Sequence, residues 1–330
     1  MATRIDLPPY PRGWFAVGLS ADIAPGDVCK VQAFGRELVL FRTQSGSPHL
    51  LDAYCPHLGA HFGHGGRIEG ESLVCPFHGW SFDGSGQCNA MPYGKRIPET
   101  ARAKSWTLRE RGGVILAWHA QAGDEPDWEM PTFEHAHWTE PVARKWVIKG
   151  HPQEVCENTA DFGHFRFIHQ THLMRPTGEP KLEGPFFSVG MTSDPEALVP
   201  ELRFGDDHPL TEGTGYCFGP GLTAADITAK GSGLEAMQRL YVTPIDEEHV
   251  ELRGIVNVGR LDSEEATRGY EKVLCEAVFE QWEADVPIWE HKVYREKPAL
   301  NDYESAIAIF RRWYAQFYQA GETAPANVQA

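Results

Sequence analysis

The sequence predicts an α+β protein in two parts: an all-β N-terminal domain, and a second domain whose antiparallel sheet is packed by helices. Three observations lead there. Residues 12–120 hold short strand-like runs broken by turns rich in Gly and Pro. Residues 185–260 read as further strands and close with a hairpin. Residues 263–295 then form one long amphipathic helical pattern, with a shorter one over 303–319. Strands followed by a long helix belong to the α+β class, and 330 residues suffice for two domains. The polar, proline-bearing stretch 121–135 is the boundary candidate. The expected domains are residues 1–125 and 126–330.

In chain order, Gly13-Trp14-Phe15-Ala16-Val17 opens the first domain and Ala24-Pro25-Gly26-Asp27 turns it. Glu37-Leu38-Val39-Leu40-Phe41 is a strand, and Ser45-Gly46-Ser47-Pro48 turns again before His49-Leu50-Leu51. Ser81 to Cys88 reads as a hairpin and Gly113 to Trp118 as a strand. Residues 153–170 carry a helical segment with many polar and aromatic positions. In the second domain, Gly233 to Pro244, the turn Ile245-Asp246-Glu247-Glu248, and His249 to Leu252 pair as a hairpin. There is no internal repeat and no low-complexity segment.

A formal net charge of −16 argues against nucleic acid and anionic membrane as partners, since both reward a basic face. Arg102, Lys104, Arg109 and Arg111 cluster in sequence, but they read as solvated charges along a strand. Met1 to Trp14 lacks the apolar run of a signal peptide, and no stretch approaches the roughly 18 apolar residues of a membrane span. The expectation is a soluble, cytoplasmic protein. Its seven cysteines are odd in number and widely spaced, unlike a secreted disulfide framework.

Two motifs carry the chemistry. The first is Cys55-Pro56-His57, seventeen residues, then Cys75-Pro76-Phe77-His78. Two cysteines for one iron and two histidines for the other make the ligand set of a Rieske [2Fe–2S] cluster. Structural zinc uses the same atoms. Iron–sulfur is favoured because each loop mixes one Cys with one His, and because Gly and Pro bring backbone N–H groups near the sulfurs. His61 and His64, between the loops, read as loop or surface residues.

The second motif is Asn158-Thr159-Ala160-Asp161-Phe162-Gly163-His164, ending at His169. Asp161 and His164 are neighbours on a helix. His164 and His169 are not, because five residues advance a helix by about 500° and leave them roughly 140° apart. To share a metal, the helix must end or distort between them, and Gly163 would ease that. Otherwise they are two unrelated histidines. A third, carboxylate ligand is offered by Asp285, which falls on the apolar stripe Tyr270, Leu274, Val278, Trp282 and Trp289. A carboxylate there is costly unless paired or metal-bound, so a buried salt bridge is the competing explanation. Glu283 lies on the polar side, and Pro287 is expected to kink the helix.

Together these features resemble the Rieske non-haem iron oxygenases, in their catalytic (α) component, over nearly the whole chain. N-x-x-D-x-x-H-x-x-x-x-H, from Asn158 to His169, is similar to that family's iron motif. Asp285 to Lys292, Pro298 to Leu300 and Phe310 to Tyr318 are similar to the 3-ketosteroid 9α-hydroxylase oxygenases and cholesterol 7-desaturases. The resemblance implies a catalytic domain of helix-grip type. Cys55 and Cys75 would hold one cluster iron, and His57 and His78 the other. His164, His169 and Asp285 would hold a mononuclear Fe(II). Asp161 would bridge an iron-ligating to a cluster histidine, by analogy His164 and His78, and Asn158 would line the iron site. In the family that path crosses between subunits, which implies a homotrimer.

The implied activity is that of a terminal monooxygenase component. It would use O2 to hydroxylate or desaturate a bulky, hydrophobic, steroid- or sterol-like substrate. The chain has no phosphate-binding glycine motif, so electrons would come from a separate NAD(P)H-dependent reductase, a ferredoxin, or both. Two alternatives stay open: an oxygenase for an aromatic acid or a natural-product intermediate, and a non-catalytic Rieske electron carrier. Phe218, Leu222, Met237 and Leu240 are candidates for the substrate pocket.

Overall fold

A computed structural model describes residues 4–120, 124–133, 136–195 and 209–318. The core of the expected linker, residues 121–123, and residues 196–208 of the strand region lie outside the described residues. The chain divides into two compact units. One comprises Trp14–Phe133 with Ile245–Glu247; the other comprises Met1–Gly13, Glu134–Pro244 and Glu248–Ala330. The boundary therefore falls later than the expected 125/126, and the first residues belong with the C-terminal unit. Their contacts explain why. The Arg4 guanidinium donates to the carbonyls of Trp289 and Lys292 at 2.8 and 2.6 Å, and Arg12 N–H donates to Phe317 O at 2.8 Å. No sequence pattern marks such an arm, because its partners lie nearly the whole chain away.

The N-terminal unit is built from three small sheets. β1 (Gly13–Leu19), β11 (Val114–His119) and β10 (Leu108–Arg111) form the first. β2 (Val28–Ala33), β3 (Arg36–Arg42), β4 (Pro48–Asp52) and β9 (Ser105–Trp106) form the second. The third is β5 (Arg67–Glu69), β6 (Ser72–Val74), β7 (Ser81–Phe82) and β8 (Cys88–Ala90); the second cysteine loop joins β6 to β7, and the first lies between β4 of the second sheet and β5. Alternation along β3 and β4 buries Val39, Phe41 and Leu51 against Phe62, Leu73 and Phe82. This core anchors the loops.

The C-terminal unit is one eight-stranded antiparallel sheet. Its strands are β12 (Val142–Lys149), β13 (Leu173–Pro176), β14 (Lys181–Glu183), β15 (Phe186–Asp194), β16 (Thr211–Phe218), β17 (Leu222–Ala229), β18 (Leu234–Pro244) and β19 (His249–Val258). α1 (Pro152–Cys156) and α2 (His164–Phe167) precede β13; α3 (Glu264–His291) and α4 (Ser305–Tyr314) follow β19. Both late helices are shorter than the periodicity predicts, and short 3-10 turns flank α4. Ser263 caps α3 by accepting from Ala266 N–H. The helix runs through Pro287 to His291, where the Arg4 guanidinium meets the carbonyl-rich end. Close approach of α3 to β19 depends on Gly254: a Cβ there would lie 2.3 Å from the Trp282 ring.

His151 shows how this unit responds to acid. It is 3% exposed, caps α1 by accepting from Gln153 N–H, and meets Pro8 O through Nε2 at 2.9 Å. Burial pushes its pKa down to about 4, although the Pro8 carbonyl and Glu154 oppose the shift. A depressed histidine gives stability that is whole above the unfolded pKa near 6.5 and is lost as pH falls toward 4. Between pH 7.5 and 5.5 that loss is about 1.3 kcal/mol. Urea unfolding of His151→Asn, which keeps a capping oxygen, is expected to show that much less acid sensitivity than the parent. Equal losses in both proteins would remove His151 as the cause.

Candidate metal centres

The two cysteine loops share one backbone pattern. Gly59 N–H donates to Cys55 O and Gly79 N–H to Cys75 O, at 2.9 and 3.1 Å. Cys55 N–H donates to Ala60 O and Cys75 N–H to Trp80 O, at 2.9 and 2.8 Å. Each loop closes on a glycine in the left-handed region, with φ +74° at Gly59 and +70° at Gly79. The repeated Cys-Pro-x-x-Gly is the sequence signal for this pairing. The side chains sort into two pairs. The Cys55 and Cys75 thiols hydrogen-bond each other, and His57 N–H donates to the Cys55 sulfur. Burial pushes the Cys55 thiol up to about 12, with the Cys75 and Cys88 sulfurs adding to the shift. The His57 and His78 rings lie 4.8 Å apart. A sulfur pair beside an imidazole pair fits a two-iron cluster better than a single tetrahedral ion. His78 Nδ1 is buried without a hydrogen-bond partner. Trp80 stacks on His57 at 4.1 Å and 9°, a support that spacing alone does not reveal. His61 is turned inward on its own loop, its Nδ1 accepting from Gly63 N–H.

In the C-terminal unit, α2 spans only four residues and ends before His169. The break does not use Gly163, whose φ of −69° is ordinary helix. The helix ends at Phe167, with Ile168 as its C-cap, and the left-handed residue, Gln170 at φ +53°, comes only after His169. His169 thus leaves the helix and swings back beside His164, with ring centroids 4.9 Å apart. Asp285 arrives from α3. Among the described residues, His164, His169 and Asp285 form one group able to hold a metal ion, with ligand atoms all within 4.8 Å of one another. Glu283 points elsewhere, toward Arg144 at 3.2 Å and Trp146 Nε1 at 3.0 Å.

The electrostatics test the competing salt bridge. Asp285 faces His169 at 3.6 Å, with both side chains at most 6% exposed. Burial drives the Asp285 carboxyl up to about 7, with His164 and Asn158 opposing the shift and Asp161 adding to it. Burial, and then the His164 charge, drive His169 down to about 3. Each partner is pushed toward its neutral form, so the pair is a poor ion pair. Nδ1 of His164 and of His169 are buried without hydrogen-bond partners. A divalent cation takes neutral imidazoles and favours the charged carboxylate, so this donor set fits a metal. Asp161 sits 3.7 Å from His164 Nδ1, and its Oδ1 accepts from the N–H of Gly163 and of His164. Burial pushes the Asp161 carboxyl up, but the His164 imidazole and those amides outweigh it and hold it below the usual range. Asn158 contacts Asp285 and accepts from Trp289 Nε1.

A pocket opens beside the triad. Val155, Phe165, Met191, Leu240, Trp282 and Trp289 line it, with Gln238 and Gln281 as neutral polar groups. Strand register decides which residues face in. Thr223 pairs with Leu240 and Ala225 with Gln238, whereas Leu222 pairs with Tyr241 and Met237 with Asp226. Of the four pocket candidates only Leu240 lines the cavity. Leu222, Met237 and Phe218 sit one residue out of phase and fall on the other face of the sheet.

NdmA of Pseudomonas putida CBB5, solved with caffeine, shares the fold at a TM-score of 0.73 and 19% identity, covering 91% of this chain and 88% of that one. Dicamba monooxygenase bound to dicamba does so at 0.72 and 17%, covering 94% and 98%. Residues 13–101 match the Rieske [2Fe-2S] domain, and residues 117–318 match the 3-ketosteroid 9α-hydroxylase C-terminal domain. A cholesterol 7-desaturase (nvd) of Hemicentrotus pulcherrimus is 33% identical over 338 residues, covering 95% of this chain and 71% of that protein. The oxygenase component of a 3-ketosteroid-9-alpha-monooxygenase of Rhodococcus rhodochrous is 30% identical over 320 residues, covering 94% and 84%.

The chain belongs to the Rieske oxygenase family of 3-ketosteroid 9α-hydroxylase and cholesterol 7-desaturase type, and it is an oxidoreductase. Its cofactors are those of the class, a Rieske [2Fe–2S] cluster and a mononuclear non-haem iron. Among the described residues no helix is long and apolar enough to cross a membrane.

Proposed function

We propose that this chain is the terminal oxygenase component of a monooxygenase system and acts on a neutral, largely apolar, steroid-like substrate. Cys55, His57, Cys75 and His78 hold the cluster. His164, His169 and Asp285 would hold Fe(II) through two imidazoles and a carboxylate, at the wall of the pocket. When bound, the two centres supply stored electrons and O2 activation. The protein's own work is to orient ligands and exclude water. Asp161 faces His164 Nδ1 at 3.7 Å, and its charge steadies the imidazole. The apolar walls desolvate the substrate beside the triad. Electrons come from a separate NAD(P)H-dependent reductase or ferredoxin, and the working assembly is a homotrimer. The seven cysteines, all free, support a reducing, cytoplasmic compartment.

The observation that carries the substrate reading is the pocket lining. Among the described residues it contains no lysine or arginine. A carboxylate substrate would be desolvated there beside Asp285 with no basic side chain in the lining to pair with it. This favours a steroid-like molecule over an aromatic acid, and Gln238 and Gln281 can meet its carbonyl or hydroxyl groups. The test is O2 consumption and product analysis with a reconstituted reductase, comparing a 3-ketosteroid with an aromatic carboxylic acid. Coupled hydroxylation or desaturation of the steroid is expected, from a protein that sediments as a trimer. Turnover of the acid alone would overturn the substrate reading, and a competent monomer would overturn the assembly.

A further inference from the structure

We propose that Trp289 is a positioning residue for the metal site, acting through Asn158 on Asp285. The inference rests on the reading that His164, His169 and Asp285 hold the metal. Trp289 stands one helical turn after Asp285 on α3 and is 2% exposed. Its Nε1–H donates to Asn158 Oδ1 at 3.5 Å. An indole nitrogen can only donate, whereas a carboxamide both donates and accepts. Trp289 therefore fixes which way the amide is turned: oxygen toward the indole, NH2 toward the Asp285 carboxylate, with which the Asn158 side chain hydrogen-bonds.

Both ends of this relay are held. Asn158 lies in the 3-10 turn Glu157–Thr159. Glu157 on one side is clamped by Arg311 at 2.6 and 2.9 Å, and Thr159 on the other hydrogen-bonds Thr223. The last turn of α3, which carries Trp289, is capped by Arg4. The four-residue spacing from Asp285 to Trp289 thus has a physical reason beyond packing. By hydrogen-bonding the Asp285 carboxylate, Asn158 would hold its orientation toward the metal.

The test uses the full-length protein with its cluster intact and the mononuclear site emptied and refilled with Co(II). Co(II) affinity and its ligand-field absorption are read in the parent, Trp289→Phe, Asn158→Ala and the double variant. Trp289→Phe keeps the ring and removes only the donor. The expected result is a Kd weakened roughly tenfold or more in each single variant, the same change of absorption band in both, and no further change in the double variant. A parent-like Kd and band in Trp289→Phe would overturn the proposal, as would effects that multiply in the double variant. Should Trp289→Phe fail to fold, an unchanged band in Asn158→Ala overturns it alone. A parent that binds no Co(II) would instead sink the metal-site reading, which separates the two failures.

Discussion

Asp285→Ala is expected to abolish turnover, by more than about 100-fold, while leaving the cluster absorbance unchanged. The triad contributes one negative charge to a divalent ion, and that charge comes from Asp285. Two neutral imidazoles alone leave the cation uncompensated in a buried site. The loss should appear as missing mononuclear iron. The apo variant should be no less stable than the parent stripped of its mononuclear metal at pH 8. There the buried carboxyl, raised to about 7, is ionised at a cost that alanine does not bear. The same variant tests the division of labour between the units. Bleaching of the cluster in Asp285→Ala would contradict the assignment of the triad to a separate centre.

Cys75→Ala is expected to do the reverse. Cys75 is 2% exposed and packs in the core with Phe62, Phe82 and Trp80, which holds its sulfur beside that of Cys55. The cluster should be absent, with no visible absorbance and no acid-labile sulfide, and turnover should fall to background. Iron should drop to roughly one per chain, because the second centre does not depend on this loop. Retention of the visible spectrum in Cys75→Ala would show that the cysteine is not a cluster ligand. The pair of variants thus predicts opposite patterns in the same two assays.

Much of this was legible in the sequence, and the reasons differ by element. Cys55, His57, Cys75 and His78 are readable as a set because they fall in two short loops, and spacing fixes local geometry. His164 and His169 required an argument about helix phase. That argument foresaw a helix that must stop, but it chose Gly163 as the point of relief; the helix ends at Phe167 and Ile168 instead. Asp285 was found by its cost, a carboxylate on an apolar stripe. What could not be read depends on contacts far apart in sequence. The Arg4 arm caps a helix 285 residues away. The strand phase that turns Gln238 inward and Met237 outward is set by pairing between strands, and both residues look equally suitable alone. Trp289 counted as core in the helical pattern. Only the fold shows that its N–H meets Asn158.

The central claim is that one chain carries two distinct iron centres. Iron and acid-labile sulfide measured on the same purified, cluster-intact protein test it most directly. Roughly three irons and two sulfides per chain are expected. Two irons and two sulfides, with full occupancy of the cluster and no iron taken up on reconstitution, would contradict the account and leave an electron carrier in its place.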